Sequence, residues 1–215
     1  MFDSVFIVYF VYIVAYFIVH SVFASLWFKQ WFFIYCPNLR VNYRLFFNIL
    51  SMVLLIPLIL LLLIYPGEKL WQWLGWQAIF FNLLAIIAMI GFYLSLSDYD
   101  LNEFFGFDLS SFSLYSQPAK EQLHIGRFHL YIRHPWYFFL LVLIWTRDMT
   151  TYQLLTAALI TAYLIVGSYL EERKLHVYFG KVYQQYQQRV PGLFPLPWKY
   201  LTRKEADKLL KCDDL

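Results

Sequence analysis

Residues 45–65 read LFFNILSMVLLIPLILLLLIY, an apolar run with no charged side chain. A helix of that length rises about 31 Å, close to the hydrocarbon thickness of a bilayer. Pro57 lies inside it, and a membrane helix tolerates proline because neighbouring groups can satisfy the freed carbonyl. The stretch reads as a transmembrane helix.

Working outward, two more runs qualify. Val5–Phe28 is interrupted only by His20, Ser21 and Ser25, and Trp76–Leu96 is equally apolar. The polar stretch Ser97–His134 follows. Two shorter runs, Trp136–Trp145 and Leu154–Leu170, are joined by Thr146-Arg147-Asp148-Met149. The fourth run rises only about 15–21 Å, so it is either a tilted span or half of a re-entrant hairpin. The expected fold is all-α: a polytopic bundle of about five transmembrane helices, the fourth and fifth forming a short hairpin in the second case. Composition agrees. Of 215 residues, 61% are hydrophobic and 14% charged, against about 45–50% and 25% in soluble domains. That excludes a disordered chain, a disulfide scaffold and an ordinary soluble domain.

Charge placement suggests an orientation. Residues 171–215 hold nine of the 17 Lys and Arg; the loop 97–134 adds Lys120, Arg127 and Arg133, and the first loop adds Lys29, Arg40 and Arg44. Only Lys69 and Arg147 fall on the other side. The positive-inside rule then puts the N-terminus outside and the C-terminus in the cytoplasm, as expected for a bacterial inner membrane. The first run lacks a basic leader and reads as an uncleaved span. A net charge of +3 is too small to suggest nucleic acid. Cys36 and Cys212 read as free thiols. Cys212-Asp213-Asp214-Leu215 lacks the aliphatic middle of a prenylation box.

Within Glu171–Val190, Leu175, Phe179, Val182, Tyr186 and Val190 recur every three or four residues. That spacing predicts an amphipathic helix on the cytoplasmic face. Pro191, Pro195 and Pro197 end it, and residues 202–215 read as a basic cytoplasmic tail after one membrane domain, 1–201.

Polar residues gather at three places: Arg133-His134-Pro135, Glu171-Glu172-Arg173 and the amphipathic segment. Proline favours the first helical position, which puts His134 at the N-cap. A helix N-terminus beside an arginine can hold an anion; equally, Arg133 can be a membrane anchor and His134 a simple cap. Glu171 and Glu172 follow 17 apolar residues, where carboxylates are paired or face a cavity. They can bridge to Arg133 or Arg173, or one can hold an ammonium group. Together the two motifs describe a site for a zwitterion. His20, inside the first span, is a further candidate, or else a partner in a helix–helix hydrogen bond. His124, His129 and His134 recur every five residues, which scatters them around a helix and argues against a zinc site. There is no dinucleotide fingerprint, Walker A motif or nucleophile elbow.

Arg133-His134-Pro135-Trp136-Tyr137, Glu171-Glu172-Arg173-Lys174-Leu175, and Phe179-Gly180 with Tyr183, Tyr186 and Val190-Pro191 resemble the C-terminal module of the membrane-embedded methyltransferases. That superfamily includes isoprenylcysteine carboxyl methyltransferases, phospholipid methyltransferases and NnrU-type proteins. His20-Ser21, Ala24-Ser25, Lys29, Tyr43-Arg44, Asn48 and Trp145 with Met149-Thr150 resemble the NnrU-type branch, nearest its methanethiol S-methyltransferases. One departure is Gly126-Arg127-Phe128, where the family has Gly-x-Tyr one residue nearer Arg-His-Pro. The loop Ser110–Ile125 matches no family pattern.

The resemblance implies S-adenosylmethionine as cofactor, entering from the cytoplasm, and a small thiol or lipophilic isoprenylcysteine-like acceptor arriving through membrane lipid. It implies that Arg133 and His134 hold the cofactor carboxylate, with His134 as an alternative base. Glu171 or Glu172 would take the ammonium group, and Tyr137 and Tyr183 would line the pocket. No obligatory protein partner is implied. Two other readings stand beside it: a haem-binding NnrU-type isomerase using His20 and one of His124, His129 or His134, and a non-catalytic membrane protein.

Overall fold

The computed structural model describes residues 4–39, 42–98, 105 and 123–211. The loop residues 110–122, including Lys120, lie outside them, as do Arg40 and the last four residues with Cys212. Four described helices are long and apolar enough to cross a membrane: α1 (Ser4–Ala24), α3 (Tyr43–Ile64), α4 (Trp76–Ser95) and α6 (Thr151–Arg189). A shorter apolar helix, α5 (Pro135–Trp145), matches the short fourth run. Two more helices are α2 (Leu26–Tyr35) and α7 (Arg203–Lys211). Met52, Val53, Ile56, Leu60 and Leu63 of α3 are all exposed. So continuous an apolar surface needs lipid around it. The chain is an all-α integral membrane bundle.

The chain divides into two units. In the first, residues 1–72, 100–115 and 148–159, Tyr9, Ile13, Leu58 and Tyr152 form the core. The Tyr9 hydroxyl meets Thr156 Oγ1 at 2.6 Å. Two short strands, β1 (Lys69–Trp71) and β2 (Met149–Thr150), pair antiparallel there. The run Val5–Phe28 is not one helix. It breaks at Ser25, whose hydroxyl donates to the Val22 carbonyl at 2.7 Å and accepts the Phe28 amide at 3.2 Å. Ser25 thereby caps the start of α2. His20 Nδ1 lies 3.1 Å from Ser51 Oγ, so this intramembrane histidine joins α1 to α3.

The second unit comprises residues 73–99, 116–147 and 160–215. The buried residues of α4 are all small: Ala85, Ala88, Gly91 and Ser95. They fall on one helix face and let α5 approach closely. A Cβ at Gly91 would lie 2.4 Å from Phe139 Cε1. Arg147, just after α5, donates to Asn82 Oδ1 of α4 at 3.0 Å.

Two expectations about the C-terminal part change. The amphipathic segment does not start as a separate helix at Glu171; it continues from the last span. Gly180 then takes φ 51° and ψ −125°, a conformation glycine alone adopts readily, and the helix folds back. The apolar face expected there does pack together. Val182, Tyr183, Tyr186 and Val190 are buried, with Leu175 and Phe179 against them. The stretch after Thr202, expected as a solvated tail, carries α7. Its Ala206 is buried in the same core, beside Leu123, Ile125 and Leu201. Thr202 and Glu205 form a capping box: the Thr202 amide donates to Glu205 Oε2 at 2.9 Å, and the Glu205 amide donates to Thr202 Oγ1 at 3.4 Å.

Candidate functional site

The site begins at the start of α5. Pro135 occupies the first turn and His134 is the N-cap, as its position before proline predicts. The backbone here is held from across the unit. The Arg133 amide donates to the Pro191 carbonyl at 2.9 Å, and the His134 amide to that of Gly192 at 3.2 Å. Gly192 fits because it has no side chain: a Cβ would lie 3.3 Å from Arg133 Nη2.

The Arg133 guanidinium points at Glu172. Nε and Nη2 donate to Glu172 Oε1 at 2.9 and 2.7 Å. Nη1 donates to the carbonyls of Gln187, at 3.0 Å, and Val190. His134 Nε2 meets the same Oε1 at 3.0 Å. The other Glu172 oxygen, Oε2, accepts from Gln187 Nε2 at 2.7 Å. Arg133 and Glu172 are mostly buried, with side chains 11% and 13% exposed.

Glu171 is situated differently. Its side chain is 48% exposed, and its Oε2 lies 3.5 Å from His134 Nδ1. The Tyr137 hydroxyl donates to that oxygen at 3.2 Å. The Tyr137 ring stacks on His134, with centroids 5.3 Å apart. The Tyr183 hydroxyl is buried beside Arg133 and close enough to feel both glutamates.

Arg133, His134, Tyr137, Glu171, Glu172 and Tyr183, the six residues expected to hold the cofactor, thus share one cluster. Anion and cation ends are not laid out separately: Arg133 is closed on Glu172, and Glu171 is the carboxylate left partly open. Gln187, His176 and the carbonyls of Val190, Pro191 and Gly192 belong to the cluster too. Nothing in the sequence marks Gln187 among Gln184, Gln185 and Gln188.

These groups lie beyond the apolar stretch 154–170, and their protonation follows from their neighbours. Burial opposes charge on His134, but hydrogen bonds and charge from Glu171 and Glu172 outweigh it and raise its pKa above 6.5. Burial likewise opposes charge on Glu172, yet His134, Arg133 and Gln187 pull it down to about 2. Partial burial of Glu171 is outweighed by His134 and Tyr137, and its pKa falls as well. The two carboxylates are therefore ionised at neutral pH beside Arg133, and His134 holds its proton more readily than a free imidazole.

Other candidates lie elsewhere. The His129 carbonyl accepts from the Tyr186 hydroxyl at 2.7 Å. Phe128 packs edge-on against Phe139. Among the described residues, no group of three or more His, Cys, Asp or Glu is placed to hold a metal.

The chain is similar to methanethiol S-methyltransferases. It is 48% identical over 65 residues to one from a Pseudomonas species, covering 30% of this chain and 25% of that one. To the Crocosphaera subtropica protein it is 31% identical over 135 residues, covering 60% and 52%. To the Pseudomonas deceptionensis protein it is 31% identical over 125 residues, covering 57% and 43%. The matched stretch spans about half the length of these relatives or less. No protein-family model matches the chain. No solved structure matches it.

Proposed function

We propose that this chain is an integral membrane methyltransferase that moves a methyl group from S-adenosylmethionine to a small thiol, with methanethiol the first acceptor to test. The observation that carries the reading is the Arg133–His134–Glu171–Glu172 cluster in a chain similar to methanethiol S-methyltransferases. The charge distribution supports a cytoplasmic C-terminus, which would place the cluster at the inner face.

The residues suit the cofactor unevenly. Glu171, half open and held by Tyr137 and His134, suits an ammonium group. The Tyr183 hydroxyl is a buried polar group that a ligand atom could satisfy. For a carboxylate, the first turn of α5 supplies a helix N-terminus; Arg133 adds positive charge there while staying bonded to Glu172 and two carbonyls. When bound, S-adenosylmethionine supplies an electrophilic methyl on a sulfonium.

The protein's own task is to align that methyl with the acceptor sulfur and exclude water. The thiol would release its proton to solvent as it enters, its thiolate sulfur would take the methyl as the bond from methyl to sulfonium breaks, and S-adenosylhomocysteine would leave as a neutral thioether beside the methylated acceptor. Both ring nitrogens of His134 face carboxylates, which favours the doubly protonated ring. In that state His134 supplies positive charge and is not a base. Positive charge near a thiol lowers its pKa and favours the reactive thiolate.

The test is release of S-adenosylhomocysteine by purified protein given methanethiol, longer thiols or a prenylated cysteine. Turnover with methanethiol supports the reading. Turnover only with the prenylated cysteine moves the acceptor to the lipid class. No turnover with any acceptor, together with no heat of S-adenosylmethionine binding, refutes it.

A further inference from the structure

We propose that Gln187 is the positioning residue of this cluster, setting the plane of the Glu172 carboxylate, and that His176 braces the far end of the Gln187 amide. The claim that this serves a methyl donor rests on the function proposed above; the claim about Glu172 does not.

The geometry is specific. Gln187 grips both halves of the ion pair. Its side-chain Nε2 donates to Glu172 Oε2 at 2.7 Å, while its backbone carbonyl accepts from Arg133 Nη1 at 3.0 Å. Its Oε1 lies 2.8 Å from His176 Nε2. An ionised carboxylate only accepts, so the NH₂ side of the amide must face Glu172. The carbonyl side then faces His176, which must present Nε2–H.

The contact is also improbable without a dedicated fold. Glu172 and Gln187 are 15 residues apart, about 22 Å along a straight helix. The reversal at Gly180 brings them together.

The two oxygens of Glu172 are unequally held. Oε1 accepts from Arg133 Nε and Nη2 and from His134 Nε2. Oε2 is held by Gln187. Three donors on one oxygen fix its position but leave the group able to pivot about it. A bond to the second oxygen fixes the plane, and with it the direction in which Arg133 and His134 are pulled. The charged groups facing Glu172 are Arg133 and His134 from the start of α5 and Glu171 on its own helix. Tyr183 faces it from the returning arm, His176 lies behind Gln187, and Lys174 acts on Glu171.

The test uses the full chain in detergent. Thermal stability is followed across the acidic and neutral range without ligand, and S-adenosylmethionine affinity is measured separately. Gln187→Leu removes a bond to the charged form of Glu172, so acid loss of stability should begin about one pH unit higher. Gln187→Glu places a second carboxylate against Glu172, and the two must share a proton. That variant should be least stable near neutral pH and recover on acidification, which is the opposite trend to wild type. A residue that merely packs would lower both curves evenly. If neither Gln187 variant folds, His176→Leu should give a smaller upward shift of the acid loss, and His176→Gln, which restores a donor, should cancel it. Donor affinity in Gln187→Leu should fall about tenfold.

Curves parallel to wild type in every variant overturn the proposal. Shifted curves with unchanged donor affinity overturn its link to the site. Shifted curves with a wild type that binds no S-adenosylmethionine leave Gln187 as the partner of Glu172 and refute the proposed function instead.

Discussion

Helix α3 and the returning arm after Gly180 share one backbone conformation and sort their side chains in opposite ways. Of the 22 residues of α3, Tyr43 and Leu58 are buried, and Met52, Val53, Ile56 and Leu63 face outward. The returning arm buries Val182, Tyr183, Tyr186 and Val190, and turns Lys181, Gln184, Gln185, Gln188 and Arg189 outward. One region meets lipid and the other meets water. In lipid, apolar surface need not be hidden, so helices associate through small residues and a few polar links. In water, the apolar stripe must be covered, and α7 and residues 123–125 cover it. The charged cluster lies in the water-facing region, where buried ions can be held by many donors.

This contrast can be broken at its strongest point. Glu172→Ala leaves Arg133 buried without its counter-charge, and breaking a buried pair in this way costs about 3–5 kcal/mol. Thermal unfolding in detergent should show the largest loss of any single change considered, with loss of turnover. A small effect would mean that water reaches the pair. Gly180→Ala comes next. Space for a Cβ is open there, so the penalty is purely conformational, about 1–3 kcal/mol. It should reduce both stability and donor affinity, because the fold-back carries Tyr183 and Gln187.

The pH dependence sharpens the same comparison. Glu172 is lowered from 4.5 to about 2, so its contribution is full above 4.5 and fades as pH falls toward 2. His134 is raised above 6.5, so its contribution is full below 6.5 and is lost as pH rises through the raised value. Ligand-free stability should therefore be greatest between these limits, and Glu172→Ala should flatten the profile. An unaltered profile in that variant would place the titrating groups elsewhere.

Smaller effects separate the two regions further. Thr202→Ala removes the cap of α7 and should cost about 1 kcal/mol, read as easier proteolysis near the C-terminus. Ile87→Leu, on the outward face of α4, should shift stability by less than about 0.5 kcal/mol. A larger loss at Ile87 than at Thr202 would contradict the division between lipid-facing and water-facing surfaces.

Much of this was legible in the residues. Uninterrupted apolar runs locate the spans, because a helix of about 20 residues that is apolar on every side has no face to turn to water. Proline after His134 marks the start of α5, and the rhythm from Leu175 to Val190 marks a buried stripe. The break at Ser25 was harder to see, since a serine in an apolar run can face a neighbouring helix or cap a new one. The fold-back at Gly180 depends on a backbone angle that glycine permits without requiring. Helix α7 carried a visible signal, the Thr202-x-x-Glu205 box, obscured by the basic residues around it. The candidate site was legible as a set of residues but not as an arrangement. Glu171 and Glu172 are chemically identical and adjacent, and only packing makes one a buried hub and the other half open.

The most direct test of that division is calorimetric titration of S-adenosylmethionine into wild type and Glu171→Gln, both folded in the same detergent. The account predicts binding to wild type, at least tenfold weaker binding to the variant, and a loss of thermal stability much smaller than that of Glu172→Ala, since Glu171 is the half-exposed member of the pair. Equal affinities, or no binding to wild type, would contradict it.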